Sequence, residues 1–309
     1  MNYYVSGYQN KGKPYHLALH KAGHHAIADK ADIVLVDRDR YMLNPSKTVW
    51  RVQKHINRGA AIVIYPHSAL PPWWYDGLVP FSDYIKCVIV IGEGQKDAMK
   101  IIAPEADVFV AGWAWCPQKP FSQPEQLKIV NFAPIHPSGG VLRPEAIKAN
   151  RAILSELKTV QRETGCRVVI RYIEKLRLQG LHQFEGFEWV KGRKNGATKQ
   201  IDQADVVIGE GTYMYQAVAR GKPTVGINQH LPIRANKKSK KNTPRNWDKY
   251  GGDLAYPINF EPGKLLEKIE LAMQGEQTEW RERFIGESMN GKAFVEKVVR
   301  IWQENRQLS

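Results

Sequence analysis

The sequence is poor in cysteine. Its 309 residues include three cysteines, Cys87, Cys116 and Cys166, which share no paired spacing. A sparse, odd-numbered and scattered set excludes a disulfide framework and is typical of reduced thiols in a cytosolic protein. None of them has the clustered Cys or His neighbours of a zinc site, so we expect no metal. Cys87 and Cys166 lie beside apolar runs, where we expect them to be small core residues.

Long apolar segments are also missing. No run approaches ~20 residues, the length that a bilayer-spanning helix needs, and we expect no transmembrane segment. The opening MNYYVSGYQNKGK predicts a short strand followed by a polar loop, and it lacks the apolar core of a secretory peptide. These features favour a cytoplasmic location.

Positive charge is in excess. Lys and Arg number 45 against 31 Asp and Glu, a net charge of +14. Such an excess indicates an anionic partner, which is a nucleic acid, an anionic membrane surface or a phosphorylated small molecule. The stretch Arg234–Lys249 alone has seven Lys or Arg and one Asp. This composition is typical either of a solvated loop or of a binding loop.

Short apolar runs alternate with helix-like segments, which predicts βα units and parallel sheets. The runs are nearly continuous in Val and Ile, as in strands buried on both faces. We predict five strands in each half of the chain: Tyr3–Ser6, Ile33–Val36, Ala61–Tyr65, Cys87–Ile91 and Val108–Ala111, then Lys128–Phe132, Arg167–Ile170, Phe187–Val190, Asp205–Ile208 and Pro223–Ile227.

The length predicts two domains, because 309 residues exceed what one typical hydrophobic core holds. A proline-rich stretch predicts a linker at residues 119–127, between a first domain at 1–118 and a second at 128–309. The last helix either stays in the second domain or crosses back to the first. The pentapeptide VIGEG occurs at Val90–Gly94 and again at Val207–Gly211, each time at a strand end before a predicted helix, which fits two similar Rossmann-like domains.

The segment IDQADVVIGEGTYMYQAVARGKPTVGIN, residues 201–228, carries the clearest chemistry. A buried strand runs into a glycine turn, and a helix then begins near Thr212 and ends before Gly221. Glycines allow close approach to the backbone, and the free N–H groups and dipole of a helix N-terminus attract phosphate. Because a glycine turn also serves ordinary strand–helix packing, the whole segment is more informative than the turn alone.

As a whole, the segment resembles the nucleotide-sugar segment of glycosyltransferase-B enzymes and of the related UDP-N-acetylglucosamine 2-epimerases and CDP-glycerol glycerophosphotransferases. The matching groups fall in the same order and spacing: Ala204-Asp205, Gly211-Thr212, Gln216-Ala217 and Gly221-Lys222-Pro223. The resemblance implies an α/β fold of two Rossmann-like domains facing across a cleft. It also implies a nucleotide-diphosphate sugar as the donor, a UDP-sugar first, with no metal required.

The resemblance places the donor site in the second half of the chain. The residues that it implies are His136, Ser138, Gly139, Gly140, Arg171, Lys191, Glu210, Gly211, Thr212 and Gln216. Gln216 stands where many members have a Glu that hydrogen-bonds the ribose, and Gln keeps the hydrogen bonds without the charge. Gln216 as a helix surface residue and His136 as a loop residue are the alternatives.

The general base is less well marked. Lys13 stands where the resembling families usually have a histidine, and inverting transfer needs a base within hydrogen-bond reach of the acceptor hydroxyl. The catalytic candidates are strand-end residues and one residue near the first loop, each with a structural role as the alternative: His67, Asp37, Glu93 and His16.

Aromatic and basic residues bear on the acceptor. Trp73 and Trp74, in a proline-rich segment, can stack bases or sugars, enter a membrane interface, or fold onto their own domain. The basic candidates for a nucleic-acid interface are Arg234, Lys237, Lys238, Lys240, Lys241 and Arg245. These features favour DNA as partner and a hydroxymethylated base as acceptor. The alternatives are a lipid-linked or cell-wall acceptor for a glycosyl- or glycerophosphotransferase, a nucleotide-sugar 2-epimerase, and a non-catalytic nucleic-acid-binding protein.

Overall fold

A computed structural model of the chain describes residues 1–6, 9–37, 52–66, 85–102, 106–135, 144–172, 184–192, 196–227 and 256–307. The chain divides into two compact units. Unit 1 comprises Met1–Pro117 together with Glu282–Ser309, and unit 2 comprises Gln118–Arg281. Within the described ranges, no helix is both long and apolar enough to cross a membrane.

The described residues form strands and helices that alternate along most of the chain. The strands are β1 Asn2–Ser6, β2 His25–Ala26, β3 Ile33–Asp37, β4 Ala61–Tyr65, β5 Ile85–Val90, β6 Val108–Val110, β7 Ile129–Phe132, β8 Arg167–Tyr172, β9 Glu188–Lys191, β10 Val206–Gly209 and β11 Thr224–Gly226. The helices are α1 Gln9–Lys21, α2 Glu93–Ile102, α3 Pro144–Thr164, α4 Gly196–Gln203, α5 Gly211–Ala219, α6 Leu265–Gln274, α7 Thr278–Phe284 and α8 Gly291–Gln307, with a further helical segment at residues 52–56.

Unit 1 is built on a parallel sheet with the strand order β2-β1-β3-β4-β5-β6. Its strands are apolar on both faces, and alternate residues enter two separate cores. In β3, Ile33 and Leu35 belong to one core, and Val34 and Val36 belong to the other. Helices α1 and α8 cover the first face, which is filled by Tyr15, Leu19, Phe294, Val298 and Ile301. The last helix therefore lies in unit 1.

Unit 2 is built on a second parallel sheet with the order β11-β10-β7-β8-β9. The chain moves outward from β7 through β8 to β9, then returns to the other side of β7 to form β10 and β11. Strands β7 and β10 are therefore neighbours whose connections leave in opposite directions. In open α/β sheets, a crevice for ligands forms at such a point, outside the carboxyl ends of the strands.

The predicted α/β class and all ten predicted strands are confirmed. The two-residue strand β2 is additional, since His25 and Ala26 carry no alternation that marks a strand. All three cysteines are buried as free thiols. Burial raises the pKa of Cys87 to about 12, so this thiol stays protonated and acts as a small core residue.

Residues 119–127, the predicted linker, begin against the end of α5. The N–H of Lys119 donates to the carbonyl of Ala219 over 3.0 Å, and the N–H of Ser122 donates to the carbonyl of Gly221 over 2.9 Å. Gly221 has φ +70°, and a Cβ added there would lie 1.8 Å from the carbonyl oxygen of Pro120. Position 221 therefore requires glycine for two reasons, which are the left-handed backbone and the close approach of the Pro120 carbonyl. The Gly-Lys-Pro group has a structural role here.

An ion pair holds the same corner of unit 2. The buried Arg220 donates from its Nε and Nη2 to the two carboxylate oxygens of Asp202, and Lys119 lies 3.0 Å from the same group. The hydrogen bond from Arg220 is the main reason why the pKa of Asp202 is lowered from its ordinary value. The corner is therefore fixed by charge as well as by backbone contact.

We predict a graded loss of stability for alanine at two glycines of unit 2 with the same backbone. Gly165 has φ +72° and open space around it, whereas Gly221 has φ +70° and the Pro120 carbonyl beside it. Gly165→Ala is expected to cost about 1 kcal/mol for left-handed strain, and Gly221→Ala about 3 kcal/mol or more because of the added clash. Thermal unfolding followed by circular dichroism measures both, and equal shifts would contradict the close approach at Gly221.

Candidate functional site

The candidate site lies at the switch point of unit 2, where β7 and β10 end side by side. The hydroxyl of Tyr213, in the first turn of α5, donates to the Oδ1 of Asn131 in β7 over 2.7 Å. Asn131 is 1% exposed and Tyr213 is 7% exposed. Asn131 is a polar residue in an otherwise apolar strand, so this bond satisfies a buried group that would be costly to leave unpaired.

The N-terminus of α5 lies at the same edge of the sheet. Gly211, its first residue, has φ +51°, and among the described residues a Cβ added there would meet no atom within 4 Å. Glu210 occupies the N-cap position in an extended conformation, and its side chain makes no capping hydrogen bond. The N–H groups of a helical first turn carry partial positive charge. Gly211 and Thr212 are half-buried, and their helix N-terminus is suited to bind an anion.

The positively charged side chain of Arg171 lies near the carboxyl end of β8, the strand next to β7. Arg171 is the penultimate residue of strand β8, and its guanidinium carbon lies 5.1 Å from the centroid of the Tyr213 ring. Its Nε is buried and has no hydrogen-bond partner among the described residues. Gly192, just after β9, also lies against it, since an added Cβ there would be 3.1 Å from the guanidinium carbon. An arginine with no carboxylate partner in the described ranges is suited to bind an anionic ligand.

A buried asparagine holds the chain where it leaves β7. Asn150 of α3 is fully buried, and its Oδ1 accepts the N–H of Ile135 over 2.9 Å while its Nδ2 donates to the carbonyl of the same residue over 3.4 Å. The residues that follow, His136, Ser138, Gly139 and Gly140, lie outside the described residues. Their predicted role in binding the donor stays a prediction.

The acidic residue at the start of the motif has a structural role. The Oδ2 of Asp205 accepts the N–H groups of Lys128 and Ile129 over 2.9 and 2.7 Å. These atoms lie at the amino ends of β7 and β10, opposite the edge that carries Gly211. Asp205 therefore joins the two strands and does not contribute to the candidate site.

The structure brings several predicted donor residues to one edge of unit 2. Arg171, Glu210, Gly211 and Thr212 follow or end the central strands, and Lys191 is the exposed last residue of β9. Gln216 lies further along α5 and is half-buried. Sequence reasoning missed Asn131, Asn150, Tyr213 and Gly192, although the two buried asparagines interrupt apolar patterns and could have been found by that signal.

The catalytic candidates of unit 1 lie in different places. Asp37 ends β3 beside Ser6 of β1, at the switch point of this sheet, and it is fully buried. Glu93 is exposed at the start of α2 and pairs with Lys96 over 3.0 Å. The remaining described candidate, His16, has its Nδ1 2.9 Å from the hydroxyl of Tyr3.

Tyr3 belongs to the amino half of β1, so His16 lies away from the carboxyl edge of the sheet. The other catalytic candidate, His67, lies outside the described residues. So do the residues predicted to bind nucleic acid: Trp73, Trp74, Arg234, Lys237, Lys238, Lys240, Lys241 and Arg245. Within the described ranges, no cluster of three or more His, Cys, Asp or Glu side chains is placed to hold a metal ion.

The two VIGEG copies differ in what surrounds them. In the first copy, a Cβ added at Gly94 would lie 2.4 Å from the Phe284 ring, and one added at Gly92 would lie 2.5 Å from the carbonyl oxygen of Arg283. The Oε1 of Gln95 also accepts the N–H groups of Ile91 and Gly92. The first copy is therefore filled by packing, whereas the second leaves Gly211 open.

Comparison with known proteins identifies the fold. No protein-family model matches the sequence, and no curated protein sequence matches it. Among solved structures, UDP-GlcNAc 2-epimerase from Methanocaldococcus jannaschii is similar at 11% identity and TM-score 0.58, over 98% of this chain and 99% of that chain. The wall teichoic acid polymerase TagF is similar at 12% identity and TM-score 0.55, over 99% of this chain and 89% of that chain. The glycotransferase of kitacinnamycin is similar at 11% identity and TM-score 0.53, over 97% of this chain and 98% of that chain. The chain has the glycosyltransferase-B fold.

The predicted architecture is thus confirmed at the level of fold, as two parallel α/β units. The chain also matches longer proteins. It spans 60% of a chain of the GtfA/B complex and 61% of the pneumococcal O-GlcNAc transferase GtfA.

We predict that Gly94→Ala destabilises the protein because of Phe284. Alanine favours a helix over glycine by about 1 kcal/mol, so without a clash the substitution in α2 would stabilise. The added Cβ meets the Phe284 ring at 2.4 Å, and we expect a net cost of about 2 kcal/mol. Adding Phe284→Leu should recover part of this loss in thermal unfolding. A double variant no more stable than Gly94→Ala alone would contradict the packing account.

Proposed function

We propose that this protein is a glycosyltransferase that moves a sugar from a nucleotide-diphosphate sugar to an acceptor hydroxyl. The observation that carries the proposal is the guanidinium of Arg171, which has no carboxylate partner among the described residues and lies against Tyr213 in the first turn of α5. A diphosphate is the ligand that such a pair favours, because the guanidinium donates to two oxygens at once and the helix N–H groups bind further oxygens.

The segment of residues 201–228 supports the same donor, since its order of groups is that of nucleotide-sugar enzymes. The named solved structures with this fold include a UDP-GlcNAc 2-epimerase and a glycotransferase. A UDP-sugar is therefore our first choice of donor.

We assign the donor contacts as follows. Arg171, Lys191 and the first turn of α5 bind the diphosphate, with the loop of His136–Gly140 contributing from the end of β7. Gln216 hydrogen-bonds the ribose through its amide. The carboxyl group of Glu210 is unsuited to phosphate, and we assign it to a hydroxyl of the donor.

Transfer requires the acceptor oxygen to attack the anomeric carbon while the bond to the diphosphate breaks. The developing charge on the leaving diphosphate is stabilised by Arg171 and α5, without the need for a metal. The acceptor hydroxyl gives its proton to a base. Among His67, Asp37, Glu93 and His16, we favour Asp37, because it ends a central strand at the switch point of unit 1.

For the acceptor, we propose a hydroxymethylated base in DNA. The net charge of +14 supports an extended polyanion as partner, since a small donor needs only a few cations. A second candidate is a lipid-linked acceptor at an anionic membrane. Leu17 and Ile27 are each 41% exposed on the α1–β2 edge of unit 1, which also carries the basic Lys13 and Lys21.

The donor proposal predicts that the protein binds UDP and that Arg171 contributes to this binding. Isothermal titration of the full chain with UDP, GDP, CDP and ADP identifies the nucleotide. Arg171→Ala should weaken its binding roughly tenfold to hundredfold, as expected for charge-assisted hydrogen bonds. Arg167→Ala is the matched control, since Arg167 begins the same strand at the opposite edge. Binding by none of the four nucleotides would refute the donor proposal.

The acceptor proposal predicts sugar transfer to DNA. A duplex with a hydroxymethylated pyrimidine is incubated with each nucleotide sugar, and its nucleosides are analysed by mass spectrometry. Replacing the six basic residues Arg234, Lys237, Lys238, Lys240, Lys241 and Arg245 by Ser should abolish salt-sensitive DNA binding and keep UDP binding. Binding to anionic vesicles without DNA binding would favour the lipid acceptor, and an epimerised free sugar would favour the epimerase.

A further inference from the structure

The guanidinium of Arg171 rests against two groups that limit its movement. The ring of Tyr213 lies 5.1 Å from the guanidinium carbon, a distance at which a cation is attracted to an aromatic face. Gly192 approaches the same group so closely that a Cβ would lie 3.1 Å from Cζ and 3.2 Å from Nε and Nη2. An alanine at position 192 would require the guanidinium to shift by a few tenths of an ångström.

The Tyr213 ring is itself fixed in place. Its hydroxyl donates to Asn131 over 2.7 Å, and both side chains are buried. Burial is the main cause that raises the pKa of Tyr213, so the phenol stays protonated at neutral pH and remains a donor to Asn131. The ring is therefore neutral, and its contact with Arg171 leaves the positive charge available to a ligand.

Fixing an arginine in advance matters for binding. A free arginine side chain loses rotamer entropy when it is immobilised by a ligand. When the protein has already restricted the side chain, this cost is removed from the binding step. The Nε of Arg171 is buried and has no hydrogen-bond partner among the described residues, and we assign the terminal N–H groups to the ligand.

We propose that Tyr213, held by Asn131, is a positioning residue that presets the guanidinium of Arg171 for the diphosphate of the donor. This inference rests on the proposed function, because it assumes that the anion at Arg171 is the diphosphate of a nucleotide. It assigns to Tyr213 an effect on phosphate recognition that acts through Arg171, beyond its contribution to the core.

The test compares nucleotides that differ by one phosphate. UDP and UMP are titrated into the full chain by calorimetry, using Tyr213→Leu, Tyr213→Phe and Gly192→Ala. Tyr213→Leu should weaken the binding of UDP about tenfold and the binding of UMP by less, because the guanidinium is no longer restrained by the ring. Tyr213→Phe keeps the ring but leaves Asn131 unpaired, and we expect a smaller loss for UDP. Gly192→Ala should also reduce the UDP-to-UMP preference.

Tyr215→Leu is the matched control. Tyr215 lies on the same helix and is 5% exposed, but its ring stacks on Trp280 at 6.0 Å. Its removal should lower the unfolding temperature and leave the UDP-to-UMP preference unchanged. If Tyr213→Leu does not fold, Gly192→Ala tests the same guanidinium from its other neighbour.

A double-mutant cycle separates positioning from a structural effect. In an Arg171→Ala background, Tyr213→Leu should have no further effect on UDP affinity, because the group that it positions is gone. An undiminished effect of Tyr213→Leu in that background would overturn the proposal. So would folded Tyr213→Leu and Gly192→Ala proteins with the UDP-to-UMP preference of the unaltered chain. Failure of the unaltered chain to bind any nucleoside diphosphate would instead refute the proposed function, and this inference with it.

Discussion

Parallel pairing of all the described strands is the constraint from which the rest of this structure follows. A parallel pair cannot be joined by a tight turn, so each connection must cross a face of the sheet. Both faces then need apolar residues, as the alternation of Ile33, Val34, Leu35 and Val36 between two cores shows. All described strands of a unit end at the same edge of its sheet. At such an edge Arg171 contacts the ring of Tyr213, two residues beyond Gly211.

The pentapeptide VIGEG occurs once in each unit and has a different role in each. In unit 1, the VIGEG turn is packed against the protein itself. The Phe284 ring fills the space beside its glycines, and the side chain of Gln95 accepts its backbone N–H groups. In unit 2, the copy that ends at Gly211 stays open. A glycine-rich turn thus indicates only that something approaches the backbone closely, and the surrounding side chains decide whether it is the protein itself or a ligand.

The sequence predicted the strands well because runs of Val and Ile leave little choice of local structure. It also predicted the glycine turn at Gly209–Gly211 between a strand and a helix, which depends on local order alone. The bond between Asn131 and Tyr213 could not be predicted, because it depends on which strands are neighbours in the sheet. The place of α8 was left open for a similar reason, since an apolar helix face carries no information about which of two sheets it covers.

The position of α8 has a consequence for synthesis of the chain. Phe294, Val298 and Ile301 complete a core whose strands are made first, and all of unit 2 lies between them in the sequence. Unit 2 is a continuous segment, so its residues have all left the ribosome before unit 1 has its last helix. We therefore expect unit 2, which has the candidate donor site, to fold first. Until α8 is added, the face of the unit 1 sheet that α8 shares with α1 is only partly covered.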